Sequence, residues 1–342
     1  FYKILLGTAT SCQPIDPQVI GSGPTISPEQ SECLVNSVSG DEIKAALFSI
    51  GEEKSPGPDG YTSNFFKKAW QTVDEQFCKA VHEFFESGRL LKQINHTILA
   101  MIPKSDRPSS VGDYCPIACC NVTYKVISKI LASRLASTLG IIVDQAQSAL
   151  VEGRSMVENI HLAQEILRKY HRIKKVSPRC ILKIDLRKAF DSVSWGFLKS
   201  ILEGLNYPGK FVSWVMECVT TTSYSISLNG SLHDMFGGMR GLRQGDPLSP
   251  FLFVLCIEYI SRSLNIATAN PDCNFHSRCE SNRITHLAFS DDLMLMARGD
   301  PSSVRILMEC LSSFSDKSGL SMNALKSDLY TVAIVGEDLE EI

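Results

Sequence analysis

The chain has 342 residues, 44% of them hydrophobic and 21% charged, with a formal net charge of −3 at pH 7. That excludes a disordered chain, leaves room for two or three subdomains, and argues against a protein that coats nucleic acid by bulk charge, so that any polyanion has to meet a local patch. Twelve cysteines without a signal peptide point to an intracellular, reducing setting (nucleus and/or cytoplasm) and to free thiols.

Residues 1–40 carry Pro14, Pro17, Gly21, Gly23, Pro24 and Pro28 among polar residues, a composition expected of a poorly ordered linker. An N-terminal helical extension is expected over 41–98. Its first helix has Ile43, Ala46, Leu47 and Ile50 on one face behind Asp41 as cap and stops at Gly51. A turn at Ser55-Pro56-Gly57-Pro58-Asp59-Gly60 leads to helices over 63–70 and 73–85. A short strand over 99–102 ends at Pro103-Lys104, and 105–116 reads as a loop. Tyr124, Ile127, Leu131, Leu135 and Thr138 then mark a helix whose other face holds Lys125 and Lys129. A helix over 156–170 runs into Arg168, Lys169, His171, Arg172, Lys174 and Lys175, read as a solvated helix end in preference to a phosphate grip.

Cys180-Ile181-Leu182-Lys183-Ile184 is a strand with Asp185 at its end. Trp195, Leu198, Leu202 and Leu205 trace a helix for which Asp191 or Ser192 is the natural cap, giving Asp191 a structural role turned away from the chemistry. Asp185 has no such role, since it interrupts a run of β-formers where a sheet would open to a cleft. Gly237 to Pro247 is a glycine-punctuated loop with Arg240, Arg243 and Gln244, a weak match to a phosphate loop because the Gly-Lys-Ser/Thr ending is missing. Ser249-Pro250 opens an apolar helix. The apolar run 250–257 stops at Glu258, short of the roughly 20 residues a bilayer span needs.

Leu287-Ala288-Phe289 and Leu293-Met294-Leu295-Met296 flank Ser290-Asp291-Asp292. This is expected to be a tight β-hairpin with both acids at its tip and both faces covered. An unpaired ionised carboxylate there costs several kcal/mol, at least roughly, so either a cation lies opposite or the tip reaches solvent. Two acids on one tip and Asp185 on a neighbouring strand suit a pair of Mg²⁺ ions, which take few carboxylates and keep positions open for phosphate oxygens. Cys273, His276 and Cys279, with His286, also have ligand-like spacing. It is irregular, and the stretch reads as a strand pair leading into the hairpin. Cys119-Cys120 is read as buried packing.

The order Asp185, Arg243-Gln244-Gly245-Asp246-Pro247, Phe289-Ser290-Asp291-Asp292, and Ser318-Gly319-Leu320-Ser321-Met322-Asn323 with Lys326-Ser327 resembles the reverse transcriptases, more narrowly those of plant LINE-type (non-LTR) retrotransposons. Ser55 through Gly60, Ile102-Pro103-Lys104, Pro116-Ile117-Ala118 and Gly153-Arg154-Ser155 fit in the same order. The resemblance implies an α+β right-hand polymerase fold, with helical or irregular fingers and an antiparallel-sheet palm over 99–342, ending before most of a thumb. It implies RNA-directed DNA synthesis from a primer 3′-hydroxyl, with an RNA template, a DNA primer, dNTPs and two Mg²⁺ ions (Mn²⁺ as a substitute). No membrane is implied, and no oligomeric state is set.

By the same resemblance, Asp185 and Asp291 are shared metal ligands assisted by the Leu186 carbonyl, and Asp292 completes the acidic set. Phe190 blocks a ribose 2′-hydroxyl, Arg243, Gln244 and Gly245 belong to the loop at nucleotide and template, Lys104 meets the triphosphate, and Lys326 gives a proton to pyrophosphate. Where the family reads Tyr-Arg-Pro-Ile, this chain has Tyr114-Cys115-Pro116-Ile117, so a bidentate guanidinium is lost. Ser290 stands where Ala is usual. The chain reads as a piece of a longer reading frame. A decayed, inactive copy that at most binds RNA and an intron maturase-like reverse transcriptase are the alternatives.

Overall fold

The computed structural model describes residues 1–168, 170, 177–334 and 336–341. Its strands are β1 (His96–Pro103), β2 (Tyr114–Cys120), β3 (Arg179–Asp185), β4 (Ser223–Leu228), β5 (Ser231–Gly237), β6 (His286–Phe289), β7 (Asp292–Arg298) and β8 (Asp328–Val332). The chain divides into two compact units. The first comprises Phe1–Thr10, Ile26–Thr138 and Phe190–Phe251, and the second Ser11–Thr25, Leu139–Ala189 and Leu252–Ile342.

The first unit holds a sheet in the order β2-β1-β4-β5. β1 and β2 are antiparallel, with Ile102 opposite Cys115, whereas β1 and β4 are parallel. A parallel pair needs a long crossover, here the more than one hundred residues between Pro103 and Ser223. β2 begins inside what the sequence suggests is a loop, and the β4–β5 hairpin has no counterpart among the expected elements. Tyr124, Ile127, Leu131, Phe197, Leu198, Trp214 and Tyr224 are buried in this unit.

Two helix starts differ from expectation. Gly40–Phe48 is capped by Ser39, whose hydroxyl accepts from the Glu42 N–H, leaving Asp41 in the first turn. Trp195–Gly204 is capped by Ser194, which accepts from the Phe197 N–H, in place of Asp191 or Ser192.

In the second unit every pairing of the β6-β7-β3-β8 sheet is antiparallel. β3 is central, with Cys180, Ile181, Leu182 and Ile184 buried, which is why its run of β-formers is continuous rather than alternating. Ile166, Ile181, Cys279, Leu287 and Met296 form a core cluster. The helix before β3 is Met156–Leu167. Of the basic run after it, Lys169, His171, Arg172, Lys174 and Lys175 lie outside the described residues. The stretch before β6 is made of turns and a 3-10 turn, Glu280–Asn282, in place of a strand pair.

Residues 1–40, expected to be a poorly ordered linker, form helices Tyr2–Gly7, Pro17–Ile20 and Pro28–Val35, with Tyr2, Leu6, Ile20 and Leu34 buried. In the second unit the Arg262 guanidinium donates to the carbonyls of Ile20, Pro24 and Ile142 and pairs with Glu258. Ser249–Ala267 runs on past Glu258 and is long and apolar enough to cross a membrane, but 67% of its span is buried within the protein.

Candidate active site

The β6–β7 hairpin closes through a two-residue loop, Ser290-Asp291, since Phe289 pairs with Asp292. Ser290 has φ +55°, a left-handed conformation that costs a residue with a Cβ of order 1 kcal/mol and needs outside support. Gln147 supplies it, as its Oε1 accepts from the Ser290 N–H at 3.2 Å while residue 147 bridges Ala288 in parallel. Asn159 Nδ2 in turn braces the segment that carries Gln147, through Ala146 O and Ser148 Oγ. Asp291 is thus on the turn and Asp292 opens β7, both exposed.

Asp185 closes β3 directly opposite Asp292. Its Oδ1 accepts from Asn323 Nδ2 at 2.9 Å, its carbonyl from the Asn323 N–H at 2.8 Å, and its own N–H donates to Ser327 Oγ at 3.1 Å. Asn323 and Ser327 therefore aim this acid, a role that the sequence, though it contains both in one motif, does not reveal. Leu186 bridges Met322, and the flanking residues exchange the bonds (Asn323 N–H to Asp185 O, Arg187 N–H to Ser321 O). In such a pair a residue's own peptide groups face away from its partner, so the Leu186 carbonyl turns toward the β7 side, where Asp292 lies.

Partial burial, then crowding by Asp291 and Asp185, raises the Asp292 carboxyl above its usual range, and Lys183 offsets only part of this. Three acids with one lysine leave a deficit of positive charge, and the donors are hard oxygens, so the set fits a divalent cation such as Mg²⁺. Among the described residues no three His, Cys, Asp or Glu side chains are gathered closely enough to hold a metal ion by themselves, so a cation there needs backbone, water or substrate oxygens as ligands as well. Lys326 is exposed on the turn that follows Asn323. A groove of about 340 Å³ beside the hairpin is lined by Met156, Ile160, Lys183, Phe289, Asp292 and Met294, among others. His276 and Cys279 meet each other and Tyr170, and His286 bonds Ser261 and Thr285, so these side chains are committed to packing partners.

The remaining candidates lie in the first unit. Lys104 is exposed just beyond β1, and its N–H donates to Asp113 O at 2.8 Å. Cys115 donates its thiol to Gln244 Oε1 at 2.6 Å, and Gln244 Nε2 donates to Asp191 Oδ1 at 3.0 Å. Asp191 is buried and bound to the Gln244 side chain of the 237–247 loop, which its expected capping role did not foresee. The Tyr2 hydroxyl donates to Tyr114 O at 2.8 Å, and burial followed by the nearby Asp191 and Cys115 pushes its phenol up to about 12, which keeps it a donor at neutral pH. Gly245 is exposed at φ +101°, against the Ala118 carbonyl. Phe190 is half-buried, its carbonyl accepting from the Leu242 N–H at 2.7 Å.

Arg243 departs from its expected place at the substrate. Its guanidinium is enclosed by Asn95 Oδ1 at 2.8 Å, Cys218 O at 2.9 Å, Asp246 Oδ2 at 3.4 Å and the Tyr124 ring at 3.9 Å from its centroid. Asp246 is in turn bound by Tyr124 and Ser128. This buried network supports the Gln244-Gly245 loop from within.

A family model described as reverse transcriptase (RNA-dependent DNA polymerase) matches residues 102–337. The transposon TX1 uncharacterized 149 kDa protein of Xenopus laevis is 28% identical over 310 residues, 89% of this chain and 23% of that protein. The retrovirus-related Pol polyprotein from type-2 retrotransposable element R2DM of Drosophila melanogaster is 28% identical over 92% of this chain and 28% of its own length. The uncharacterized mitochondrial protein AtMg01250 of Arabidopsis thaliana is 37% identical over 106 residues, 30% of this chain and 84% of that protein. The chain spans about a quarter of the length of the first two.

Proposed function

Because the chain belongs to the reverse transcriptase (RNA-dependent DNA polymerase) family, we propose that it is the polymerase segment of a non-LTR retrotransposon protein of the plant LINE type, copying RNA into DNA from a primer 3′-hydroxyl. The observation that carries the reading is the in-register opposition of Asp185 and Asp292, with Asp291 on the adjoining turn, inside the segment that the family model matches. The similarity to retrotransposon Pol proteins supports the element class, and the Arabidopsis relative supports the plant assignment. Twelve free thiols favour an intracellular setting.

Asp185, Asp291, Asp292 and the Leu186 carbonyl are the groups that would hold two Mg²⁺ ions, and Mn²⁺ would substitute. When bound, these supply Lewis acidity toward the primer hydroxyl and the triphosphate oxygens. Asn323 and Ser327 hold Asp185 in place before substrate arrives, and Gln147 holds the strained turn under Asp291, so little reorganisation is left for the reaction. Lys104 contributes a point charge for the triphosphate, Phe190 excludes a 2′-hydroxyl, Gln244 and Gly245 line the nucleotide and template, and Lys326 protonates the departing pyrophosphate. For the RNA template, Lys54 and Lys129 line a pocket of about 400 Å³ that includes Gly245 and Glu53, while the Lys125 ammonium beside it is taken up by the Ser55 carbonyl.

The test is incorporation of dTMP on poly(rA)/oligo(dT) with Mg²⁺. Template-dependent extension that disappears without Mg²⁺ is expected. A folded protein that binds the primer–template but extends nothing, under Mg²⁺ or Mn²⁺, would overturn the proposal.

A further inference from the structure

The Gln244 amide is clasped from two sides by groups that the proposed reaction has not used. Its Nε2 donates to Asp191 Oδ1 at 3.0 Å, its Oε1 accepts the Cys115 thiol at 2.6 Å, and its main-chain carbonyl accepts from the Ala118 N–H at 2.8 Å. A glutamine amide has two donors at one end and two lone pairs at the other, and the ends are close in size, so an unrestrained side chain offers either. The Asp191 Oδ1 accepts here, and a backbone-fixed acceptor at that point is matched only by the NH₂ end. Asp191 therefore selects the NH₂ end and turns the carbonyl oxygen to Cys115, whose S–H is the donor. One N–H and one lone pair remain for a ligand.

The clasp is rigid because the two segments are sewn together beside it. The Leu242 N–H donates to Phe190 O at 2.7 Å, the Gly241 N–H to Val193 O at 2.8 Å, and Trp195 Nε1 to Gly241 O at 2.8 Å. Gly241 has φ +85°, and a Cβ there would stand 2.7 Å from the Asp191 carbonyl oxygen, so only glycine permits the approach. Asp191 itself is 2% exposed. An acid buried this deeply, with its backbone fixed against the loop it bonds, is built to hold one geometry.

We propose that Asp191 is a positioning residue for nucleotide binding: by accepting from Nε2 it sets which end of the Gln244 amide faces the incoming nucleotide, and the Cys115 thiol completes the clasp at the position where the family pattern has arginine. The inference rests on the polymerase reading for the identity of the ligand, and on the geometry alone for the clasp.

Two measurements test it and separate its failure from failure of the polymerase reading. The first needs no turnover. In ¹⁵N-labelled free protein, the Gln244 side-chain NH₂ pair, assigned by its loss in Gln244→Glu, should lie away from the ordinary glutamine position. It should return there in Asp191→Ala and move partway in Cys115→Ala, whereas Cys115→Ser, which keeps a donor, should leave it in place. A pair already at the ordinary position in the wild type, or unmoved by Asp191→Ala, would overturn the clasp.

The second measurement is the KM-against-kcat split in primer extension. Asp191→Ala should raise KM for dNTP on the order of tenfold, as expected for losing one buried hydrogen bond, with kcat changed by no more than about threefold. Asp191→Asn keeps an acceptor oxygen and should recover most of the KM. Asp191→Ala and Gln244→Ala should be strongly non-additive. Additive losses, or a fall in Tm with KM unchanged, would mean that Asp191 only supports the fold. Should Asp191→Ala not fold, Cys115→Ala against Cys115→Ser reads the same clasp from its other end. A wild type that extends no primer would defeat the polymerase reading, and the NH₂ resonance would still decide the clasp.

Discussion

Asp292 stands directly across the β3–β7 ladder from Asp185. Like charges directly opposed on a sheet cost roughly 0.2–1 kcal/mol, so the pairing weakens the ladder that carries it and makes sense as the holder of a cation.

That cost should be visible as a pH dependence. The Asp292 carboxyl is raised in the folded state, first by partial burial and then by Asp291 and Asp185. The folded chain therefore holds this proton more tightly than the unfolded chain does. The group's contribution to stability is best below the unfolded value of about 3.9 and is lost as pH rises through the raised folded pKa. In metal-free buffer, Asp292→Asn should raise Tm at pH 7, and the gain should vanish near pH 3.5. Thermal unfolding at the two pH values checks it, and a gain of equal size at both would remove the electrostatic explanation.

Phe190 sits half-buried with its backbone fixed by Leu242. Phe190→Ala should admit ribonucleotides, narrowing the dNTP-over-rNTP preference in kcat/KM by at least about tenfold, the factor that 1.4 kcal/mol represents. Unchanged sugar selectivity in an active protein would take the role away from this ring.

At position 115, β2 still faces Ile102 of β1, so the strand presents whatever side chain stands there. Restoring the planar fork with Cys115→Arg should raise kcat/KM for dNTP by a factor on the order of 10² to 10³, judged from the loss of single preorganised donors, with Tm nearly unchanged. An already efficient enzyme that gains nothing would show that the charge on the triphosphate is met elsewhere.

Arg243 should matter to the fold and only indirectly to the nucleotide. Arg243→Ala leaves Asp246 buried without its ionic partner, which costs about 3–5 kcal/mol, or a drop in Tm of roughly 4–7 °C for a chain of this size. Calorimetry checks it. An unchanged Tm with weakened dNTP binding would return Arg243 to the substrate contacts.

The hairpin and β3 were legible because burial on both faces leaves continuous apolar runs, in which Asp185, Asp291 and Asp292 stand out. Arg243 and Asp191 were not, because their partners lie far off in sequence: Asn95 and Cys218 for the first, Gln244 for the second. A glycine-punctuated loop looks alike whether its arginine faces in or out. The helices within 1–40 were missed for a different reason. Pro17 and Pro28 read as breakers, yet each follows a capping residue, Asp16 and Ser27, and occupies the first turn of its helix, where proline is favoured. The cap–proline pairs were signals that the prolines' density obscured.

The most direct test of the acidic centre needs no turnover. Mn²⁺ binding to the protein with primer–template and dNTP, followed by the loss of the free-ion EPR signal, should show tight sites that are abolished in Asp185→Asn and Asp291→Asn and retained in Asp191→Asn. Equal Mn²⁺ binding by wild type and Asp185→Asn would contradict the assignment of Asp185 and the hairpin acids as the cation site.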